Sequence, residues 1–165
     1  MKLVICEKPS VGAAVAAALG VTGKKDGYIE NDKYIISWCI GHLVQLSEAA
    51  AYGEQYRKWS YDSLPILPQE WQYTVAADKG KQFKILKDLM HRADVSEVVN
   101  ACDAGREGEL IFRFVYHQAG CKKPFTRLWI SSMETDAIRS GFEHLKDGRG
   151  YDLSLIHISE PTRRV

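Results

Sequence analysis

The chain reads as an α/β domain with a mainly parallel central sheet flanked by helices. Three observations predict this. Two short runs, Lys2 to Cys6 and Ser96 to Cys102, read as buried strands. Segments with apolar residues at helical spacing alternate with such runs. Each of the two runs ends in an acid, Glu7 or Asp103, and leads into a turn and then a helix.

In order along the chain, the first strand is followed by Glu7-Lys8-Pro9-Ser10. Proline disfavours the helical conformation at the preceding residue, so the chain turns at Lys8. Ser10 is placed to cap a helix over 11–19, which Gly20 ends. Residues 27–40 predict a hairpin with Asn31-Asp32 near its turn. Residues 48–69 are polar and aromatic and predict a long surface loop, a length that in compact domains often carries function. A strand follows over 71–75. A helix over 79–90 is marked by Phe83, Leu86, Leu89 and Met90. Further helices are expected over 110–118 and from Ser132 or Thr135 to Leu145, with a strand over 125–130 between them. The domain is bounded at 1–146. Residues 147–165 continue no earlier pattern and read as the start of another segment or a non-native tail.

Composition limits the function. A length of 165 residues suits one domain with a real core. No apolar run reaches the roughly 20 residues of a membrane helix, and the opening run lacks a signal-peptide cleavage site, so a cytoplasmic protein is expected. The net charge of +1 excludes binding of nucleic acid through a whole-surface field and leaves a local patch with a metal. The cysteines at 6, 39, 102 and 121 show no paired spacing of a zinc site or disulfide framework, and Cys6 and Cys102 are expected as buried thiols.

The chemistry is concentrated where the two acid-tipped strands end. Ligands of open parallel sheets bind outside the carboxyl ends of strands. If the two strands are neighbours, Glu7, Asp103 and Glu107 converge at one rim. Carboxylates of this kind suit Mg²⁺, with water and phosphate oxygens completing its shell. Lys8 and Arg106 stand beside the acids and can contact phosphate. Taken singly, each residue has a plainer reading: a glutamate after a strand is more often solvated, and Glu109 suits the first turn of a helix. Arg57, Lys58, Trp59 and Tyr61 form an aromatic and basic cluster. It can stack on unpaired bases, or Trp59 can anchor the loop to the domain. His42, after Gly41 at a strand end, can line the site, although a structural histidine is the commoner case.

The segment Ile5-Cys6-Glu7-Lys8-Pro9-Ser10 resembles the opening of type IA DNA topoisomerases of the topoisomerase III branch. Asp103-Ala104-Gly105-Arg106-Glu107-Gly108-Glu109 resembles the Asp-x-Asp-x-Glu motif of the Toprim domain. The stretches 38–43, 59–68 and 127–132 are similar to the same branch, in order, over roughly residues 1–145. One departure is plain: Gly105 stands where the central acid belongs, which weakens the case for two tightly held metal ions.

The resemblance implies a Rossmann-like Toprim domain that binds Mg²⁺ and acts on DNA, mainly single-stranded. It belongs to an enzyme that cleaves one strand transiently through a 5′-phosphotyrosine and needs no ATP. By the same resemblance, Glu7, Lys8 and Arg106 are catalytic, Glu7 being the general acid toward the leaving 3′ oxygen. Glu7, Asp103 and Glu107 hold metal, and Lys8, Trp59, Tyr61 and Arg106 contact DNA. The tyrosine nucleophile lies on another domain. A second reading is another Toprim enzyme, a metal-dependent nuclease or primase-like protein, and a third is a non-catalytic module.

Overall fold

A computed structural model describes residues 1–58 and 60–152. Trp59 and the tail 153–165 lie outside the described residues. The elements in chain order are β1 (Lys2–Cys6), α1 (Pro9–Ala18), β2 (Gly23–Lys25), β3 (Tyr28–Glu30), β4 (Tyr34–Trp38), β5 (Val44–Leu46), β6 (Tyr73–Val75), α2 (Gly80–His91), β7 (Glu97–Ala101), α3 (Arg106–Gln118), β8 (Phe125–Arg127), α4 (Thr135–Glu143) and β9 (Lys146–Asp147).

Seven strands form one sheet in the order β2-β3-β4-β1-β7-β8-β9. The inner four, β4, β1, β7 and β8, are parallel. The outer strands pair antiparallel at both edges. β1 is central, with Val4 opposite Ile36 on one side and Val99 on the other.

Helices cover both faces. Leu3 and Ile5 point into a core with Leu86 and Met90 of α2 and Phe112 and Val115 of α3. Val4 and Cys6 point into the opposite core with Val15 of α1 and Ile138 of α4. This explains why β1 reads as a continuous apolar run: alternate residues serve different cores. Each fully buried leucine or isoleucine here is worth about 1.5–3 kcal/mol of burial.

The hairpin over 27–40 is present as β3 and β4, with Asn31 Oδ1 accepting from the amides of Lys33 and Tyr34 at 2.9 and 2.8 Å. Several local readings need correction. α1 begins at Pro9, with Lys8 rather than Ser10 before it and no side-chain cap. Proline suits this position because its missing N–H has no helical partner there. Gly20, at φ 68°, follows the helix end as expected. α3 starts at Arg106, one turn earlier than 110, so the whole acidic motif after Gly105 is helical. α4 is preceded by Glu134, and neither Ser132 nor Thr135 caps it. β8 stops at Arg127 rather than running to 130.

Strands β2, β5 and β9 were not expected. They have two or three residues each, too few for a periodicity, and exist because a partner strand lies alongside. Three short 3-10 turns, Ala49–Tyr52, Glu54–Tyr56 and Tyr61–Ser63, lie within the long loop. The expected boundary at 146 falls within β9, and residues 148–152 are tied to α3. Arg113 donates to the Gly148 carbonyl at 2.8 Å and pairs with Asp152 at 2.7 Å.

Candidate active site

The pairing of β1 with β7 is what makes a site. Cys6 lies level with Ala101, so the residues just beyond both strands emerge side by side at the carboxyl rim of the sheet. Glu7 is only 8% exposed. Its Oε2 accepts from the Asp103 amide at 3.4 Å. Lys8 bridges the two acids, its Nζ lying 3.4 Å from Glu7 Oε1 and 3.5 Å from Asp103 Oδ2. Asp103, and then Glu7, hold the Lys8 ammonium above its usual pKa.

Glu107 faces elsewhere. From the first turn of α3 its carboxylate pairs with His42 Nε2. The carbonyl of His42 in turn accepts from Lys79 Nζ at 3.0 Å, which secures the segment. Among the described residues, no three acids, histidines or cysteines are gathered as a metal would require. The structure thus brings Glu7, Lys8 and Asp103 together and puts Glu107 on the same rim with a histidine as its partner. Arg106 is exposed at the start of α3 and has no salt bridge among the described residues. Tyr61 is exposed on a short 3-10 turn. Arg57 is engaged with Glu54 at 2.7 Å.

The donor chemistry nevertheless fits a hard divalent cation. Asp103 and Glu107 flank the junction between β7 and α3, both side chains are about half exposed or more, and their oxygens are of the type Mg²⁺ prefers. Between Glu7 and Asp103 stands the Lys8 ammonium. Gly105 has an extended backbone, φ 177° and ψ 175°, and a Cβ added there meets no atom within 4 Å. Nothing in the packing requires a glycine at that position.

Gly108 is different. A Cβ there would lie 2.2 Å from the Asp103 carbonyl oxygen and 2.9 Å from its amide nitrogen. The helix can sit this close to the strand end only with hydrogen at that position.

Sequence reasoning missed the polar centre beneath the rim. Glu109, expected as a first-turn acid favoured by the helix dipole, is 1% exposed. It accepts from Asn100 Nδ2 at 2.9 Å and from Arg113 Nε at 2.8 Å. Arg127 is fully buried, and its Nε lies 3.2 Å from Glu109 Oε2, close enough for an ion pair but off the hydrogen-bonding direction. Its Nη1 donates to the carbonyl of Cys102 and its Nη2 to that of Asp103, both at 2.6 Å. Burial pulls the guanidinium pKa below its usual value, against the pull of Glu109. Arg127 therefore fixes the backbone that presents Asp103. The signal in the sequence was a glutamate four residues before an arginine on one helix, with nothing to say that the pair is buried.

Beside Asp103 a cleft of about 780 Å³ opens, walled by Trp129, Ile130, Ser131, Ser132 and Met133. Trp129 stacks on Tyr151 at 5.0 Å. All four cysteines are buried free thiols. The Cys6 thiol pKa is raised by burial, and that of Cys102 by a hydrogen bond with Cys39 and by burial.

Comparison with known proteins identifies the family. The Toprim domain family model matches residues 2–133. A DNA topoisomerase 3 of Shouchella clausii is 47% identical over 151 residues, covering 92% of this chain and 21% of that protein. A DNA topoisomerase 3 of Staphylococcus haemolyticus is 46% identical, covering 90% of this chain and 21% of its own length. The chain thus spans about a fifth of the length of these relatives. Among solved structures, full-length topoisomerase I of Thermotoga maritima shares the fold, with a TM-score of 0.57 and 18% identity over 88% of this chain and 21% of that one. The sheet order, the acid-bearing strand ends and the family match lead to one assignment: the chain belongs to the Toprim domain family, in the form found in DNA topoisomerases 3.

Proposed function

We propose that this chain is the acid-bearing part of a type IA DNA topoisomerase, acting on one strand of DNA in the cytoplasm with Mg²⁺ as its ion. The observation that carries the reading is the Glu7–Lys8–Asp103 cluster. Two carboxylates from neighbouring parallel strands and one ammonium meet at a rim that DNA can reach. Asp103 and Glu107 would hold the cation, which would supply charge neutralisation and orientation at a phosphate.

Glu7 is the proton carrier in this reading. It gives a proton to the 3′ oxygen as the strand is cut and takes it back as the strand is resealed. Its near-complete burial and its bond from the Asp103 amide hold the carboxyl in one place. Lys8 faces the phosphoryl oxygens and offsets their charge. Arg106, exposed at the helix start, is a second phosphate contact. Tyr61, with Trp59, offers rings for stacking on unpaired bases.

The attacking tyrosine comes from outside these 165 residues. Among the described residues no tyrosine hydroxyl bonds to Glu7, Lys8, Asp103 or Glu107; Tyr52 and Tyr116 bond to main-chain groups elsewhere. The cleft beside Asp103 gives the cut strand a place to lie.

The test is cleavage of a labelled single-stranded oligonucleotide by the intact enzyme that carries this domain. Glu7→Ala should abolish the covalent 5′ adduct while DNA binding persists. Undiminished adduct formation by that variant would refute the role of Glu7. Mg²⁺-dependent nicking by the 165-residue chain alone would point instead to a hydrolytic Toprim enzyme.

A further inference from the structure

The rim acids each have a side-chain partner within the protein. Lys8 lies between Glu7 and Asp103. His42 takes Glu107, the one acid of the motif that stands on α3. The second arrangement is the more consequential. It engages one carboxylate of the Asp-x-x-x-Glu pair with an imidazole, whereas the other, Asp103, is engaged with Lys8.

His42 is also built into position. Gly41 before it adopts φ 62°, a left-handed conformation that other residues rarely take. Its carbonyl is bound by Lys79 from the segment leading into α2. Leu43 and Val44 after it are buried, 0% and 1% exposed. The ring is thus held over the start of α3, and Glu107 reaches it from a side chain that is 67% exposed. An exposed carboxylate meets an imidazole whose backbone is anchored.

We propose that His42 is an internal rival of the divalent cation for Glu107, a positioning residue that parks this carboxylate until a metal displaces the ring. The proposal rests on the reading that Asp103 and Glu107 bind a metal. Magnesium takes oxygen ligands and seldom imidazole, so the cation and the ring compete for the carboxylate rather than share it. Any free energy spent in breaking the His42–Glu107 pair is subtracted from the observed metal affinity. Removing the ring frees Glu107 and strengthens binding.

The experiment is calorimetric titration of Mg²⁺ into the full 165-residue chain, comparing the unaltered protein with Asp103→Asn, Glu107→Gln and His42→Ala. His42→Ala is expected to bind about two- to fivefold more tightly, the size of one partly exposed side-chain contact released. Glu107→Gln should bind more weakly. A second measurement needs no variant: the His42 ring resonances of the unaltered protein should move as Mg²⁺ saturates the site.

Weaker binding in His42→Ala would make the ring a ligand and overturn the proposal. Unchanged affinity, or a ring signal that stays still during Asp103-dependent binding, would overturn it too. These outcomes leave the metal reading standing. Binding that is absent, or that survives Asp103→Asn, would sink the metal reading and this proposal together.

Discussion

Glu107 and Glu109 stand two residues apart on the first turn of α3, and they live in opposite surroundings. The Glu107 side chain is 67% exposed and meets a histidine at the rim, whereas that of Glu109 is 1% exposed between two arginines and an asparagine. The helix supplies the difference. Successive side chains are about 100° apart, so a separation of two turns one acid toward solvent and the other into the sheet. The first stays at the surface, and the second pairs with Arg127, which binds the carbonyl of Asp103. Identical residue types in one motif thus divide between rim and core.

The sharpest way to break this comparison is to neutralise each acid in turn. Glu109→Gln leaves Arg127 and Arg113 buried beside a neutral amide. Loss of one partner of such a buried set costs about 3–5 kcal/mol, which urea unfolding will show. Glu107→Gln should change stability by no more than about 0.5 kcal/mol. Equal losses would erase the distinction.

Gly108, which lies between the two acids, comes next. An added Cβ would meet backbone atoms of Asp103, which cannot yield as a flexible side chain would. Gly108→Ala should cost about 1–3 kcal/mol by overpacking. It should also shift the Asp103 amide resonance, because helix and strand end must separate. A variant with the stability and spectrum of the unaltered chain would show that the contact is slack.

Gly105 sharpens the rim side of the comparison. Its extended backbone and open surroundings can take an aspartate without strain. Gly105→Asp should therefore leave the melting temperature nearly unchanged. Through its extra ligand charge it should raise Mg²⁺ affinity by about tenfold. No gain in affinity would place residue 105 outside the ion's reach.

The smallest effect lies farthest from the rim, at Tyr116 of α3. Its hydroxyl donates to the Lys123 carbonyl at 2.5 Å. Burial, with Cys121 beside it, pushes its pKa from 10.0 up to about 12. A pKa raised by folding contributes stability below the unfolded value and loses it as pH climbs toward the folded value. Between about pH 10 and 12 the unfolded chain releases this proton and the folded chain keeps it, so stability falls. Tyr116→Phe should remove that part of the alkaline slope in melting curves and leave the neutral range with only the loss of one hydrogen bond, about 1 kcal/mol. An unaltered slope would remove Tyr116 as its source.

Much of the site was legible in the chain because its parts are local. An acid after an apolar run, a proline one residue after a lysine, and a glycine-spaced acidic motif opening a helix all carry their meaning in a few neighbouring positions. The central strands were legible for the same reason: Leu3, Val4, Ile5 and Cys6 are all buried, so no alternation blurs the run. The short strands β2, β5 and β9 were not, since three residues such as Gly23-Lys24-Lys25 become a strand only where a neighbour offers hydrogen bonds.

By itself the sequence determined the α/β class, the acid-tipped strands and the likeness to Toprim domains, because pattern and motif follow from nearest neighbours along the chain. Only the tertiary structure decided which acids meet. β1 and β7 are more than ninety residues apart and become adjacent through sheet order alone. The same folding sends Glu109 inward to Arg127, aims Glu107 at His42, and sets Lys8 between Glu7 and Asp103. Electrostatic partners are chosen by distance in space, and that distance is not written in the spacing of residues.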